Sequence, residues 1–287
     1  MGAELHNREE SSPQDRSPQD RAIAFDFGEN WSDYSRDVLD SGRLDAAAAS
    51  MAELIGADAI LGKRLCDVGS GSGLFSLAAA RLGAASVIGF DINARAVEVA
   101  RANLQRLIPE AAGTVSFVQG SALDAGFIDG LGRFDTVYAW GSLHHTGQMW
   151  PAITNASRLV GPDGTFVLAI YNRHWTSPIW TPIKILYNVA PRFLKSLANV
   201  LFGGLIYLAV LLKTRSSPLR KERGMDFWYD VIDWLGGYPY EYAGIAEVQA
   251  RVEFLGFRLE KVVPPRVPTG CNEFVFRRVD LAQGDGK

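Results

Sequence analysis

The chain has 287 residues, of which 47% are apolar and 21% charged, a globular composition that excludes a collagen, a fully disordered chain and a pure coiled coil. Its 29 basic and 32 acidic side chains leave a net charge of -3, without the basic excess of a nucleic-acid binder, so no DNA partner is expected. Two cysteines, Cys66 and Cys271, both in apolar strand-like stretches, are too few for a disulfide scaffold or a zinc cluster and point to reduced thiols and a cytoplasmic location.

The first ten residues carry no apolar run of the kind a secretory signal needs. A duplicated Ser-Pro-Gln-Asp-Arg follows, at 12–16 and 17–21, with no large apolar side chain to offset ordering entropy. Residues 1–22 read as a disordered tail. Residues 23–62 read as a helical segment ahead of the main fold, with Phe-Asp-Phe-Gly-Glu-Asn-Trp-Ser-Asp-Tyr at 25–34 either a strut on the core or a lid whose Trp31 or Tyr34 excludes water.

From residue 63 onward short apolar runs alternate with helical stretches. Strands are predicted at 64–68, 86–90, 115–119, 134–140 and 164–171, and helices at 74–82, 94–107 and 150–159. After an interruption, a helix at 245–255 precedes strands at 258–263 and 272–279. This is an α/β fold, a Rossmann-like, seven-stranded, mostly parallel sheet with right-handed crossovers. The last two strands have no helix between them, so the seventh runs antiparallel at or near an edge. Residues 63–172 and 243–280 form the core, with 173–242 inserted as a helical cap for substrate binding.

Strand one runs into Asp67-Val-Gly69-Ser70-Gly71-Ser-Gly73, where glycines let the backbone pass close to a ligand at a helix N-terminus. Asp91 ends strand two, where a carboxylate can accept from both ribose hydroxyls of an adenine nucleoside. A dinucleotide turn would need a third glycine at 74 or 76, but these are Leu74 and Ser76. Asp67 would repel a pyrophosphate and suits a cationic ligand such as S-adenosylmethionine.

The segment RLCDVGSGSGLFSLAAARLGAASVIGFD, together with the later FDTVYAWGSLHH and NEFVFRR, resembles the class I S-adenosylmethionine-dependent methyltransferases, with a general likeness to quinone-biosynthesis O-methyltransferases. The resemblance covers about 63–172 and 243–279. It implies S-adenosylmethionine as cofactor and S-adenosylhomocysteine as product. It also implies that Gly69, Ser70, Gly71 and Gly73 line the methionine part, that Asp67 holds its amino end and that Asp91 binds the ribose. Ile92 would flank the adenine, Ser121 and Ala122 would lie against it, and Trp140 and Trp31 would complete the pocket. The acidic residue common in the turn after strand three is absent at 121, and Asp124 comes late.

Methyl transfer to a hydroxyl needs an aligned nucleophile and a base at the carboxyl ends of strands four and five. His144, His145 and His174 follow those strands, with Tyr171 and Asn172 beside them. In the insertion, Asp226, Asp230 and Asp233 fall at helical spacing, forming either a solvated face or a polar wall with Tyr238, Glu241, Asn272 and Glu273. Nothing fixes a metal-ligand spacing, so no metal is assigned.

The sixteen uncharged residues 197–212 would span roughly 24 Å as a helix. That is short of the roughly 30 Å of hydrocarbon, so a crossing helix is not expected. Residues 183–223 carry +7 and the rest of the chain -10. The stretch therefore reads as a peripheral contact at the inner membrane surface, a buried cap helix or a homodimer seam. The acceptor is expected to be a small or lipid-linked molecule, methylated at oxygen with His as base. A tRNA-modifying enzyme and a non-catalytic membrane or protein adaptor are the alternatives.

Overall fold

The computed structural model describes residues 25, 27–215, 226–265 and 267–279; the expected disordered tail lies outside them. Seven strands form one sheet in the order β3-β2-β1-β4-β5-β7-β6: β1 (Arg64–Val68), β2 (Ser86–Asp91), β3 (Val115–Gln119), β4 (Phe134–Trp140), β5 (Val160–Tyr171), β6 (Phe257–Val263) and β7 (Cys271–Arg278). Strands β1 to β5 pair in parallel, and β7 pairs antiparallel with both β5 and β6. Strand β7 thus fills the position next to the edge and β6 takes the edge itself.

Alternation along the strands explains the two-faced core. On β5, Val167 faces one cluster, with Leu65 and Phe117. Its neighbours Phe166 and Leu168 face the other, with Cys66 and Phe274. Both cysteines are free thiols. The crossover helices are α3 (Leu74–Arg81), α4 (Ala94–Leu107), α5 (Ala125–Leu131) and α6 (Met149–Arg158), with α10 (Ile245–Phe254) before β6. Helix α5 escaped the sequence pattern because a Gly-containing seven-residue helix with one buried residue, Ile128, has no period to read. It starts on Asp124, whose carboxylate accepts from Phe127 N–H.

Among the described residues two helices precede the sheet, α1 (Phe27–Asp37) and α2 (Ser41–Ile55). Helix α1 is tied to α4: Asn103 Nδ2 donates to Ser35 Oγ and to Ser72 O, both at 2.9 Å, and Arg106 donates to the carbonyls of Leu39 and Ser35. Tyr34 is fully buried beneath it, contributing roughly 2 to 3 kcal/mol of apolar burial.

The described residues of the insertion form three helices, α7 (Ser177–Val189), α8 (Arg192–Thr214) and α9 (Phe227–Gly236). Tyr187, Phe227, Val231 and Leu235 make a small core of their own, against which Ala198, Phe202 and Ile206 pack. Helix α8 corrects the length argument made from sequence. It has 23 residues, about 35 Å, because the backbone is helical through the basic first turn that the apolar run excluded.

Candidate active site

Sheet topology fixes where a ligand can sit. Strand order reverses between β1 and β4, and the crevice outside their carboxyl ends is built by the turns after β1, β2 and β4. In the β1 turn, Gly69, Gly71 and Gly73 all adopt positive φ, at 71°, 52° and 79°. Gly71 N–H donates to Asp91 Oδ2 at 3.0 Å, and Asn93 N–H donates to Asp91 Oδ1 at 2.9 Å. Asp91 therefore shapes the turn as well as closing β2, and burial raises its pKa. A Cβ on Gly71 would lie 2.8 Å from Trp31 Nε1, so α1 lies directly over the glycine turn.

Asp67 stands beneath that turn. It is 4% exposed and accepts from Ser76 Oγ at 2.6 Å. Burial pushes its pKa up to about 7, against the pull of the Ser76 hydroxyl and with some help from the Asp91 charge. The Ser70 hydroxyl is buried with no partner among the described residues. Ile92, an apolar side chain at the mouth of the site, is 65% exposed.

The turn after β4 touches this loop. Ser142 Oγ donates to Val68 O at 2.6 Å, and a Cβ on Gly69 would meet Ser142 Cβ at 2.3 Å. Two residues on come the histidines. His144 is buried, bonded to the Ala169 backbone, and its Nδ1 has no partner among the described residues. His145 Nδ1–H donates to Pro239 O at 2.8 Å, which leaves the lone pair on Nε2. Burial takes the pKa of His144 well below its ordinary value and that of His145 down to about 3. Gly237 allows the cap backbone to close on this ring, since a Cβ there would lie 2.6 Å from His145 Cε1.

Tyr171, at the end of β5, joins the histidines to the cap. Its ring centroid lies 4.1 Å from His144, 5.5 Å from His145 and 5.1 Å from Tyr240. Lys184 of α7 is 1% exposed, sits 4.7 Å above the Tyr240 ring and donates to Trp234 O. Asp233 of α9 accepts from Asn30 Nδ2 of α1 at 2.6 Å. Burial draws the Lys184 pKa down and the Asp233 pKa up, while each charge opposes the shift of the other.

A family model described as "Methyltransferase domain" matches residues 66–168, which hold the turns after β1, β2 and β4. Over this stretch the chain is similar to the class I S-adenosylmethionine-dependent methyltransferases. It is 31% identical over 121 residues to a ubiquinone biosynthesis O-methyltransferase of Vibrio campbellii, a match covering 42% of this chain and 49% of the relative. It is 33% identical over 107 residues to 27-O-demethylrifamycin SV methyltransferase of Amycolatopsis mediterranei, covering 37% and 38%. The chain spans about half the length, or less, of these curated relatives. In fold it is similar to magnesium protoporphyrin IX methyltransferase of Synechocystis with bound S-adenosylmethionine. The TM-score there is 0.55 at 14% identity, over 95% of this chain and 100% of that one.

The family's cofactor is S-adenosylmethionine, and the residues present fit it. The orphaned Ser70 hydroxyl, the fixed Asp91 carboxylate, the buried Asp67 and the exposed Ile92 together suit a cationic adenosyl ligand. Ser121 and Ala122 lie in the β3 turn, engaged locally: Ser121 Oγ accepts from Leu123 N–H, and Ala122 O from Asn155 Nδ2. Trp140 packs on Phe75 at 5.7 Å.

Several expected substrate residues make contacts within the fold. Asp226 caps α9 through Trp228 N–H and lies 3.6 Å from Arg43. Both carboxylate oxygens of Glu241 accept from Met149 N–H at 3.0 Å, capping α6. Asn172 donates to Pro268 O and accepts from Asn272 Nδ2, so the two asparagines hold the β5–β7 end together. Tyr238 precedes Pro239 and accepts from Phe25 N–H through its carbonyl. His174 bonds to Thr176 Oγ1 at 2.8 Å and packs on Trp175, in contacts separate from the His144–His145–Tyr171 cluster.

Sequence reasoning missed Asn30, Ser142, Lys184 and Tyr240. The one available hint was Lys184 itself, a single cation inside Ile-Lys-Ile-Leu on a helix that carries no other charge.

Proposed function

We propose that the chain transfers the methyl group of S-adenosylmethionine to an oxygen of a small-molecule acceptor, with His145 as the proton acceptor. The cofactor supplies a methyl group on a cationic sulfur that departs as a neutral thioether. Everything else falls to the protein: holding the acceptor oxygen in line, excluding water and taking one proton.

One observation carries this reading. The His145–Pro239 hydrogen bond fixes the tautomer so that the basic nitrogen is Nε2, three residues beyond the Ser142 contact with the glycine turn. Burial keeps that ring neutral at working pH, the form that can accept a proton. Tyr171 orients it from β5 and Phe27 packs on it from α1, with ring centroids 4.9 Å apart. His144 is the positioning partner, wedged between His145 and Tyr171. The aromatic surround of Tyr171, Tyr240 and Trp234, with Lys184 above it, suits a flat acceptor carrying an acidic hydroxyl, whose developing oxyanion the lysine attracts. The oxygen assignment also has support from the name of the Vibrio relative.

The test is a screen of phenols, catechols and hydroxyquinones with methyl-labelled cofactor, run beside His145→Gln. Label on a hydroxyl oxygen is expected, with turnover in the variant down by about 10²- to 10⁴-fold and cofactor affinity unchanged. Label on nitrogen or carbon, or full turnover in the variant, would sink the reading.

A further inference from the structure

The α7–α8 hairpin presents a face that the soluble fold does not use. On α8, Phe193, Leu197, Leu201, Leu205, Leu208 and Leu212 recur every three or four residues and are 51 to 72% exposed. Leu186 and Val189 extend the patch along α7, at 66% and 60%. Single exposed leucines mean little, but a continuous apolar stripe of this length marks a surface meant to be covered. Only 6% of the apolar window of α8 is buried, at a mean hydropathy of 1.8.

Charge decides what covers it. From Asn172 to Lys221 the sequence has no aspartate or glutamate. Exposed Arg192 and Arg215 bracket the stripe, and Lys195 lies in the first turn. We propose that this face docks on an anionic lipid bilayer, with the stripe in the boundary between headgroups and acyl chains and the cations on the phosphates.

Two other occupants fit less well. A second copy would meet the same face, so the cations would find no carboxylate opposite them. A bilayer-crossing α8 has the length, but its inner face is already committed. Tyr187 Oη donates to Asn199 Oδ1 at 2.9 Å, and a Cβ on Gly203 would lie 2.4 Å from Trp228. Those contacts hold α8 against α7 and α9, and Asp230 and Asp233 of α9 belong with the soluble part. The hairpin is thus two-sided, with the lipid stripe outward and Lys184 inward toward Tyr171 and Tyr240.

The experiment is flotation of the full chain with vesicles of phosphatidylcholine alone and of phosphatidylcholine mixed with phosphatidylglycerol, at low and high salt, with mass by light scattering. The comparison is Leu201→Glu/Leu205→Glu, two stripe positions remote from the candidate active site, checked by circular dichroism and cofactor binding. The expected result is flotation with the anionic vesicles, weakened by salt, released by alkaline carbonate and reduced at least about tenfold in the variant. Absence of flotation, a dimer that the variant dissociates, or resistance to carbonate would each overturn the proposal. Because cofactor binding is read on the same samples, a failure here is separable from a failure of the methyl-transfer reading.

Discussion

The two halves of the candidate site are built on different plans. The cofactor half is local: one turn, one helix start and one carboxylate at the next strand end, all within residues 67–93 and held by backbone hydrogen bonds to Asp91. The acceptor half is assembled from α1, the β4 turn, the end of β5 and two inserted helices, and its contacts join side chains to partners far away in sequence, as in Asn30 to Asp233 and His145 to Pro239 O. A local motif is hard to move and simple to recognise. An assembled wall can change its lining, and so its acceptor, while the fold stays the same.

That contrast predicts a large, clean effect in the first half. Asp91→Ala removes an acceptor for two backbone N–H groups and the expected ribose partner. Hydrogen bonds to a charged group are worth about 1.5 to 3 kcal/mol each, so cofactor Kd should rise by about 100-fold or more. Calorimetric titration gives the number; parent-like affinity would mean that the glycine turn alone defines the site.

In the second half the expected effect falls on stability and depends on pH. Lys184→Met leaves Asp233 buried with the Asn30 amide and no nearby cation. Removing one member of a buried charge pair costs about 3 to 5 kcal/mol when the other stays ionised. Burial raises the folded pKa of Asp233 from 3.8 to about 7. The folded state therefore holds this proton more tightly than the unfolded chain does, and the group's contribution to stability falls as pH rises from about 4 to about 7. The deficit of Lys184→Met against the parent should be greatest at pH 8, smaller at pH 5.5 and mostly recovered in Lys184→Met/Asp233→Asn. Thermal melts check all three. A deficit independent of pH would show that packing, and not charge, ties the cap to the core.

The same division explains what could be read in advance. Strands β1 to β5 and the glycine turn were legible because period-2 apolar runs and positive-φ glycines are properties of neighbouring residues. The antiparallel β7 was legible because no helix separates it from β6. The insertion gave only its composition, since α7 and α8, apolar and without side-chain caps, look like one long hydrophobic stretch. Glu241 and Asp226 looked like site residues because a carboxylate that caps a helix and one that meets a ligand are spelled alike. Which helix start each would serve depends on tertiary placement. Lys184 looked like one more surface cation until packing showed it nearly fully buried.

The smallest effect is also the sharpest comparison within the cofactor half, between Asp91, which faces the turn's N–H groups, and Asp67, which lies under it. With a pKa pushed to about 7, Asp67 is partly protonated near neutrality. A cationic ligand favours the carboxylate, so binding should release a proton, and affinity should rise with pH up to about 7, by at most about tenfold per pH unit. In Asp67→Asn the amide oxygen still accepts from Ser76, so the turn is retained, but the slope should vanish. The same variant should be more stable than the parent without cofactor at pH 8, because it no longer buries a carboxyl that is ionised in the unfolded chain, and this advantage should shrink as pH falls and vanish only near pH 4, where the unfolded carboxyl is protonated too. Titrations at pH 6 and pH 8 in buffers of different protonation enthalpy read the proton directly. A parent whose affinity is flat across that range would assign Asp67 to the scaffold and leave Asp91 as the acidic residue that meets the cofactor.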